Sequence, residues 1–430
     1  MLKKQLKRLT SKVRIELAAQ YWKKLNSGKT PDVNGQTILI WRGPGGITAS
    51  LNIEMLFANA LRERGAKVIF FVCDGTSSGC VMRTLSKDPK VENWEERCPR
   101  CRENATRAFE AGNFEYHTTS EYISDDERQQ LRQIADATDL DNLLHYKYNE
   151  VEVGLFAEAA TIRFLKGMDI SRDDPYFQQL LREYFFTALI NTIAAKKVQQ
   201  LFQPDKIFFQ HGIYVDWGPF YRVMIDAGIP VTVWMRGYLR NHFYLRTDTK
   251  DDEYHMYFPQ NNEIETRLNT PLTVEQKAEL AAYLKDRETG ANLTVKLFTT
   301  TPEEKEKVRQ QLGFKDDKPI WALFTHLNWD AQFSFEAMVY PDTTTWALET
   351  VKMMIENDDV NWLVKVHPAE LSLGTSKGAY QAIMEKFPNL PAHIKVLPPD
   401  TPLNTYGILP LVAGGLTISG TIGMELALKG

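Results

Sequence analysis

Along most of the chain, short apolar runs alternate with longer segments whose apolar residues recur at helical spacing. Thr37-Ile38-Leu39-Ile40-Trp41 is a run of the first kind, and the turn Gly43-Pro44-Gly45-Gly46 follows it. Helical periodicity then spans about residues 49–64, Gly65 stops it, and Lys67 to Cys73 is a second apolar run. Strand, glycine turn, helix and strand predict a parallel βαβ unit. The pattern recurs at the strand Lys206-Ile207-Phe208-Phe209-Gln210, a helix near residues 220–227 and the strand Val231-Thr232-Val233-Trp234. Between the two, Ser124 and Glu127 make a capping-box pattern, and residues 176–202 carry the repeat of one long buried helix.

A polar stretch at 251–315, with surface helices expected at 273–288 and 302–312, reads as a connection. A second α/β series follows. Strands are expected at Ile320–Thr325, Trp362–Val366, Ile394–Leu397 and Leu416–Ser419, with helices at 346–356, at 380–386 and after Gly420. The expected division is a basic helix at 1–30, an α/β domain at 31–250 with a helical insertion, the connection, and a second α/β domain at 316–430. The last helix is still running at Gly430, so this second domain is expected to be incomplete. Alternating strands and helices imply parallel sheets covered on both faces, with ligands at the carboxyl ends of the strands.

Composition narrows the class. At 430 residues, 43% hydrophobic and 25% charged, the chain is an ordinary globular one of two or three domains. A net charge of -4 argues against a nucleic-acid partner. No apolar run approaches the roughly 20 residues that span a bilayer, and the N-terminus lacks the pattern of a signal peptide. The expected location is the cytoplasm. Lys3, Lys4, Lys7, Arg8, Lys12 and Arg14 alternate with Leu2, Leu6, Leu9 and Val13. This is either a solvated surface helix with one packed face or a peripheral contact of residues 1–14 with anionic lipid.

Chemistry-bearing residues cluster just after strands. In Leu416-Thr-Ile-Ser-Gly-Thr-Ile-Gly-Met-Glu425, Gly420 permits a tight turn between Ser419 and Thr421, where a helix opens. Free N–H groups, the positive helix end and two hydroxyls make a phosphate cradle. Glu425, one turn on, is placed to accept from a ribose diol; the alternative is a capped helix with a surface glutamate. His367, delivered by the strand Val364-Lys365-Val366 and followed by Pro368, can donate to phosphate, and Lys365 adds charge. Asn328 and Asp330 follow another strand, either as a substrate contact and a base or as an Asx-type turn. His211, with Gly212, Asp216 and Trp217, follows a strand of the first half. There His211 is either a base or a satisfied strand-end histidine.

All four cysteines, Cys73, Cys80, Cys98 and Cys101, fall within one stretch. They are either a closed, structural four-thiolate zinc site, buried unlinked thiols, or a redox pair at 98 and 101. Such a zinc would do no chemistry, and no catalytic metal is expected. The Gly43–Gly46 turn lacks a Gly-Lys-Ser/Thr ending and is either an acceptor-side loop or a plain turn.

Four segments in order, His326-Leu-Asn-Trp-Asp, Lys365-Val-His-Pro-Ala-Glu, Thr405-Tyr-Gly-Ile-Leu and Ser419-Gly-Thr-Ile-Gly-Met-Glu, resemble bacterial capsule polysaccharide biosynthesis proteins. Those proteins belong with Kdo-transferase-like and sialyltransferase-like enzymes that share a His-Pro strand end. The resemblance covers about residues 320–430. It implies two Rossmann-like domains facing a cleft, the GT-B arrangement. It also implies transfer of a sugar from a nucleotide-sugar donor, with CMP-sugars favoured, to a polysaccharide or glycolipid acceptor. On this resemblance His367, Ser419 and Thr421 would hold the donor's phosphate and Glu425 its ribose, and Lys365, Glu370 and Gly420 are further expected donor-binding residues. Thr405 and Tyr406 would be further substrate contacts, and His211, Asp216 or Asp330 would be the base. Two departures stand out: Lys365 replaces the usual arginine, and Gly420 separates the two hydroxyls. A CDP-alcohol phosphotransferase, a sugar-nucleotide epimerase and a non-catalytic scaffold are the rival readings.

Overall fold

The structure, a computed structural model, describes Val13 and residues 16–26, 35–77, 79–237, 239–252, 261–290, 304–333, 339–418 and 420–429. The basic residues of the expected lipid contact and Ser419, one of the two cradle hydroxyls, lie outside the described residues. The chain forms two compact units: Met1–Phe164 with Ile170–Met235 and Tyr244–Tyr254, and Leu165–Asp169 with Arg236–Phe243 and His255–Gly430.

The first unit runs β1 (Thr37–Gly43), α1 (Thr48–Arg62), β2 (Lys67–Val72), α2 (Cys98–Ala111), β3 (Glu115–Thr118), α3 (Asp125–Ala137), α4 (Val153–Leu165), α5 (Pro175–Phe202), β4 (Lys206–Gln210), α6 (Tyr214–Asp226), β5 (Val231–Arg236) and β6 (Phe243–Asp248). Its six-stranded sheet has the order β3-β2-β1-β4-β5-β6, and β1 is parallel to both β2 and β4. That is Rossmann-like winding, with the change of direction between β1 and β4. The runs Ile38-Leu39-Ile40-Trp41 and Val68-Ile69-Phe70-Phe71 are apolar on both faces because helices cover both. On one face Trp41 stacks on Phe220 at 3.7 Å. On the other, Met55, Phe109 and Phe114 close around Phe70, and Trp22 from the N-terminal helical residues joins them. The long α5 starts with Pro175 at its first position and Asp174 accepting from the Tyr176 amide at 2.8 Å.

The second unit runs α7 (Asn261–Leu268), α8 (Val274–Thr289), α9 (Lys305–Leu312), β7 (Ile320–Phe324), α10 (Thr343–Glu356), β8 (Asn361–Lys365), α11 (Ala369–Ser372), α12 (Ala379–Lys386), β9 (Ile394–Leu397), α13 (Thr405–Ile408), β10 (Val412–Leu416) and α14 (Ile422–Lys429). Its sheet has the order β10-β7-β8-β9 and is parallel throughout. Both units are therefore α/β layers, the first dominated by parallel strands and the second parallel throughout, as the alternation of elements predicts. The last strand differs from the expected Leu416–Ser419 and lies four residues earlier. Gly414 and Gly415 explain the shift. A Cβ on Gly414 would stand 2.7 Å from the Trp321 ring and one on Gly415 2.5 Å from Leu426, so only bare backbone fits between these side chains. Among the described residues no helix is long and apolar enough to cross a membrane.

Candidate functional site

In the second sheet the change of direction falls between β7 and β10. The segments following those strands, 325–330 and 417–421, therefore flank the crevice where open parallel sheets bind ligands. The tip of β8, which bears His367, lies on the same edge two strands from β10, roughly 10 Å away at ordinary strand spacing.

Arg287, near the end of α8, organises the start of α14. Its guanidinium donates to Thr421 Oγ1 at 3.2 Å and to the Glu425 carboxylate. Tyr406 bonds the same carboxylate. Burial works against the Arg287 charge, but Glu425 opposite it raises its pKa overall. Glu425 is only 6% exposed, so it does not lie open for a ribose as expected; it anchors a cation beside the helix start. Thr421, Tyr406 and Glu425, drawn from two separate sequence motifs, thus meet around one residue that carried no local signal. Thr405 lies beside Tyr406 at the start of α13, where Asn404 Oδ1 accepts from the Tyr406 amide at 2.8 Å.

A pocket of about 450 Å³ adjoins this helix start, between α10, β10 and α14, with Trp346, Thr350, Thr417 and Gly423 in its wall. That volume lies in the range of small-molecule sites. A larger hollow, about 670 Å³, reaches the amino end of β10 at Val412, with Glu288, Tyr406 and Lys429 around it.

At the neighbouring strand tips the rings of His326 and His367 stand 6.5 Å apart. The His367 amide donates to Thr325 Oγ1 at 3.1 Å, and the Ala369 amide donates to His367 Nδ1 at 3.1 Å. Nδ1 is thus an acceptor, and a neutral ring carries its proton on Nε2, ready to donate. Burial, helped by His326 and Lys365, pushes His367 down to about 4 and so keeps it neutral. Burial brings Lys365 to about 8, which leaves it mostly charged at pH 7. His326 is also lowered by burial, an effect Asp330 opposes. Asp330 therefore sits beside a histidine at the sheet edge.

Other expected contacts are already engaged. Glu370 Oε1 accepts from the Ala379 amide at 2.8 Å and caps α12. Asn328 Nδ2 donates to Thr344 Oγ1 and the Lys377 carbonyl, tying its loop down. Both serve the local backbone here. Burial raises Glu370 to about 7. A carboxyl raised in the folded state contributes stability that is complete below its unfolded value and lost as pH rises through 7. Urea denaturation of Glu370→Gln, which keeps the acceptor oxygen, should therefore show the variant gaining on the parent by a few kcal/mol between pH 4.5 and 7. A variant that stays level or loses ground over that range would show that the fold does not disfavour the ionised carboxylate.

In the first unit, Asp216 and His211 do not form an open base. Asp216 is 4% exposed, its Oδ2 accepts from the Val81 amide at 2.8 Å, and burial raises it to about 7. The carboxylate pins the loop after β2 to α6 and is not presented to solvent. His211 packs edge-on to Trp217 at 4.6 Å, and burial with the nearby Arg163 charge lowers it to about 3. Its backbone is strained: His211, Gly212 and Tyr214 all have positive φ, at 34°, 67° and 63°. Under the Gly43–Gly46 loop lies an ion pair with no exposure, Arg42 to Glu54 at 3.1 Å. Around the same loop lie the four cysteines, all free thiols. As they stand, no three His, Cys, Asp or Glu side chains among the described residues form a metal-holding group.

No family model and no curated protein matches the chain. Solved structures with faint likeness include the UDP-GlcNAc 2-epimerase from Neisseria meningitidis bound to UDP-GlcNAc, at 8% identity and TM-score 0.23, over 90% of this chain and 78% of that one. The glycosyltransferase VinC in complex with dTDP aligns at 10% identity and TM-score 0.22, over 89% and 75%. The CDPS from Fluoribacter dumoffii aligns at 12% identity and TM-score 0.31, over 50% and 91%. Similarity this faint carries nothing about the chemistry of this chain.

Proposed function

We propose that the chain is a nucleotide-sugar-dependent glycosyltransferase of the GT-B kind, with a CMP-sugar as favoured donor and a surface polysaccharide or glycolipid as acceptor. The observation that carries this reading is the Arg287 guanidinium on Thr421 Oγ1 at the first turn of α14, beside the crevice of the second sheet. A helix start, a hydroxyl and a guanidinium at one point are donors for phosphate oxygen. The neutral His367, with its proton on Nε2, and Lys365 supply further donors from the β8 tip. The pocket walled by Trp346 suits the nucleoside base.

In the reaction, the acceptor oxygen forms a bond to the anomeric carbon while the bond from that carbon to the donor's phosphate oxygen breaks. The departing nucleotide keeps the electron pair, and its charge is met by the cradle and Arg287 without a metal. The acceptor's proton passes to Asp330, a choice supported by its place beside His326 after β7 and by the enclosure of Asp216 and His211.

The test is thermal denaturation of the purified chain with CMP, CDP, UDP and GDP, and then with the matching sugar donors, with and without acceptor glycan. The expected result is a shift that is largest for cytidine nucleotides and absent in Thr421→Ala and His367→Ala, together with transfer to added glycan. Donor isomerised without acceptor would favour an epimerase. No shift with any nucleotide would favour a scaffold.

A further inference from the structure

We propose that Glu349 makes the pocket beside α14 select a base with an exocyclic amino group over its oxo counterpart, cytosine over uracil. The proposal rests on the donor-site reading and adds the residue that reads the base.

Trp346, Glu349, Thr350 and Met353 all line the pocket. They recur at i, i+3, i+4 and i+7 along α10, so they form one stripe of that helix. The stripe is held firmly. Asp342 Oδ1 caps α10 by accepting from the Thr345 amide at 2.8 Å. Val351 and Met354, between and beyond the stripe, are fully buried, and Trp346 packs against the same core. Gly423, in the first turn of α14, belongs to the same wall. A nucleotide whose phosphate rests on that turn therefore has its nucleoside within reach of α10.

Most of the stripe can accept any base. The Thr350 hydroxyl is engaged, donating to the Trp346 carbonyl at 2.6 Å. The Trp346 ring and the Met353 thioether offer apolar surface, and every base has a face that lies on such surface. Glu349 is the one carboxylate lining the pocket among the described residues. Its neighbour Lys352 stands 3.9 Å away, with both side chains at least half exposed, and an ion pair this open contributes little. A carboxylate only accepts hydrogen bonds. The N4 amino group of cytosine donates to it, whereas uracil presents the O4 carbonyl, a second acceptor, at the same place. A site built for an N–H group rejects the analogue that lacks it, because its own acceptor is then left without a donor.

The experiment is calorimetric titration of the full chain with CMP and with UMP, which differ only in the base. The parent should bind CMP about tenfold more tightly, the worth of one hydrogen bond to a charged group at a half-exposed position. Glu349→Gln should bring the ratio near one, because an amide offers an N–H to O4 and an oxygen to the amino group. Glu349→Ala should do the same by weakening CMP alone. Trp346→Ala should weaken both nucleotides alike and leave the ratio as it is. The parent's own ratio decides even if a variant fails to fold: a value near one overturns the proposal. A preference for CMP that persists in Glu349→Gln would also overturn it, and would leave the donor site standing. No binding of either nucleotide to the parent would overturn the donor-site reading, and this proposal with it.

Discussion

Replacing Arg287 by alanine is expected to weaken nucleotide binding by roughly tenfold to a hundredfold, the worth of one or more charge-assisted hydrogen bonds to phosphate. It should also cost the second unit about 3 kcal/mol. The Arg287 and Glu425 side chains are 15% and 8% exposed, and removing one partner leaves the other charge uncompensated. The two effects separate in the double variant Arg287→Met with Glu425→Leu. Two apolar side chains of similar volume should restore most of the stability, because a buried pair gives little net stabilisation over such a replacement. Binding should stay lost, because no guanidinium remains beside Thr421. Arg287→Lys should fall between, since an ammonium keeps the charge but not the planar fork. Calorimetric titration with CMP and urea denaturation of the same samples measure both. Full binding by the double variant would show that Arg287 only holds α14 in place.

The second large effect belongs to the first unit. Arg42→Met is expected to destabilise it by about 3–5 kcal/mol at pH 8, since Glu54 is left without exposure or countercharge and keeps only the bond from Trp234 Nε1, 3.3 Å long. Burial already raises Glu54 to about 7 against the pull of Arg42. Without that guanidinium the carboxyl must take up a proton, so the deficit should shrink toward pH 6 and grow above pH 8. Arg42→Met with Glu54→Leu should recover most of the loss at every pH. A pH-independent deficit in the single variant would mean that the damage comes from the lost Arg42 Nη2 bond to the Ile47 carbonyl, 2.7 Å long, and not from the stranded charge.

The layers were readable where the pattern was strong. Strands such as Thr37–Gly43 and Asn361–Lys365 are covered on both faces, so their centres, Ile38 to Trp41 and Trp362 to Val364, read as unbroken apolar runs. Edge strands were not readable. Glu115-Tyr116-His117-Thr118, the edge strand beside β2, is half-buried at best and carries no such run, and β10 is built around two glycines. Local chemistry was readable when it followed a strand, which is why His367 and Thr421 could be named. Arg287 could not be, because it lies more than a hundred residues from its partners on a helix with no fully buried side chain, and only the tertiary fold brings it to Thr421. Nor could the sequence tell that Glu370 caps a helix or that Asp216 is enclosed. Glu370 reads as a donor contact and Asp216 as a base until their backbone partners, Ala379 and Val81, are in place.

The central claim is that nucleotide phosphate settles on the first turn of α14. Hydrogen exchange of the full chain, followed by mass spectrometry with and without saturating CMP or a CMP-sugar, tests it most directly. Slowed exchange at 420–425, joined by 325–330 and 365–369, is the predicted result. Tight binding that slows only the first unit, or that leaves the amides of 420–425 untouched, would contradict it.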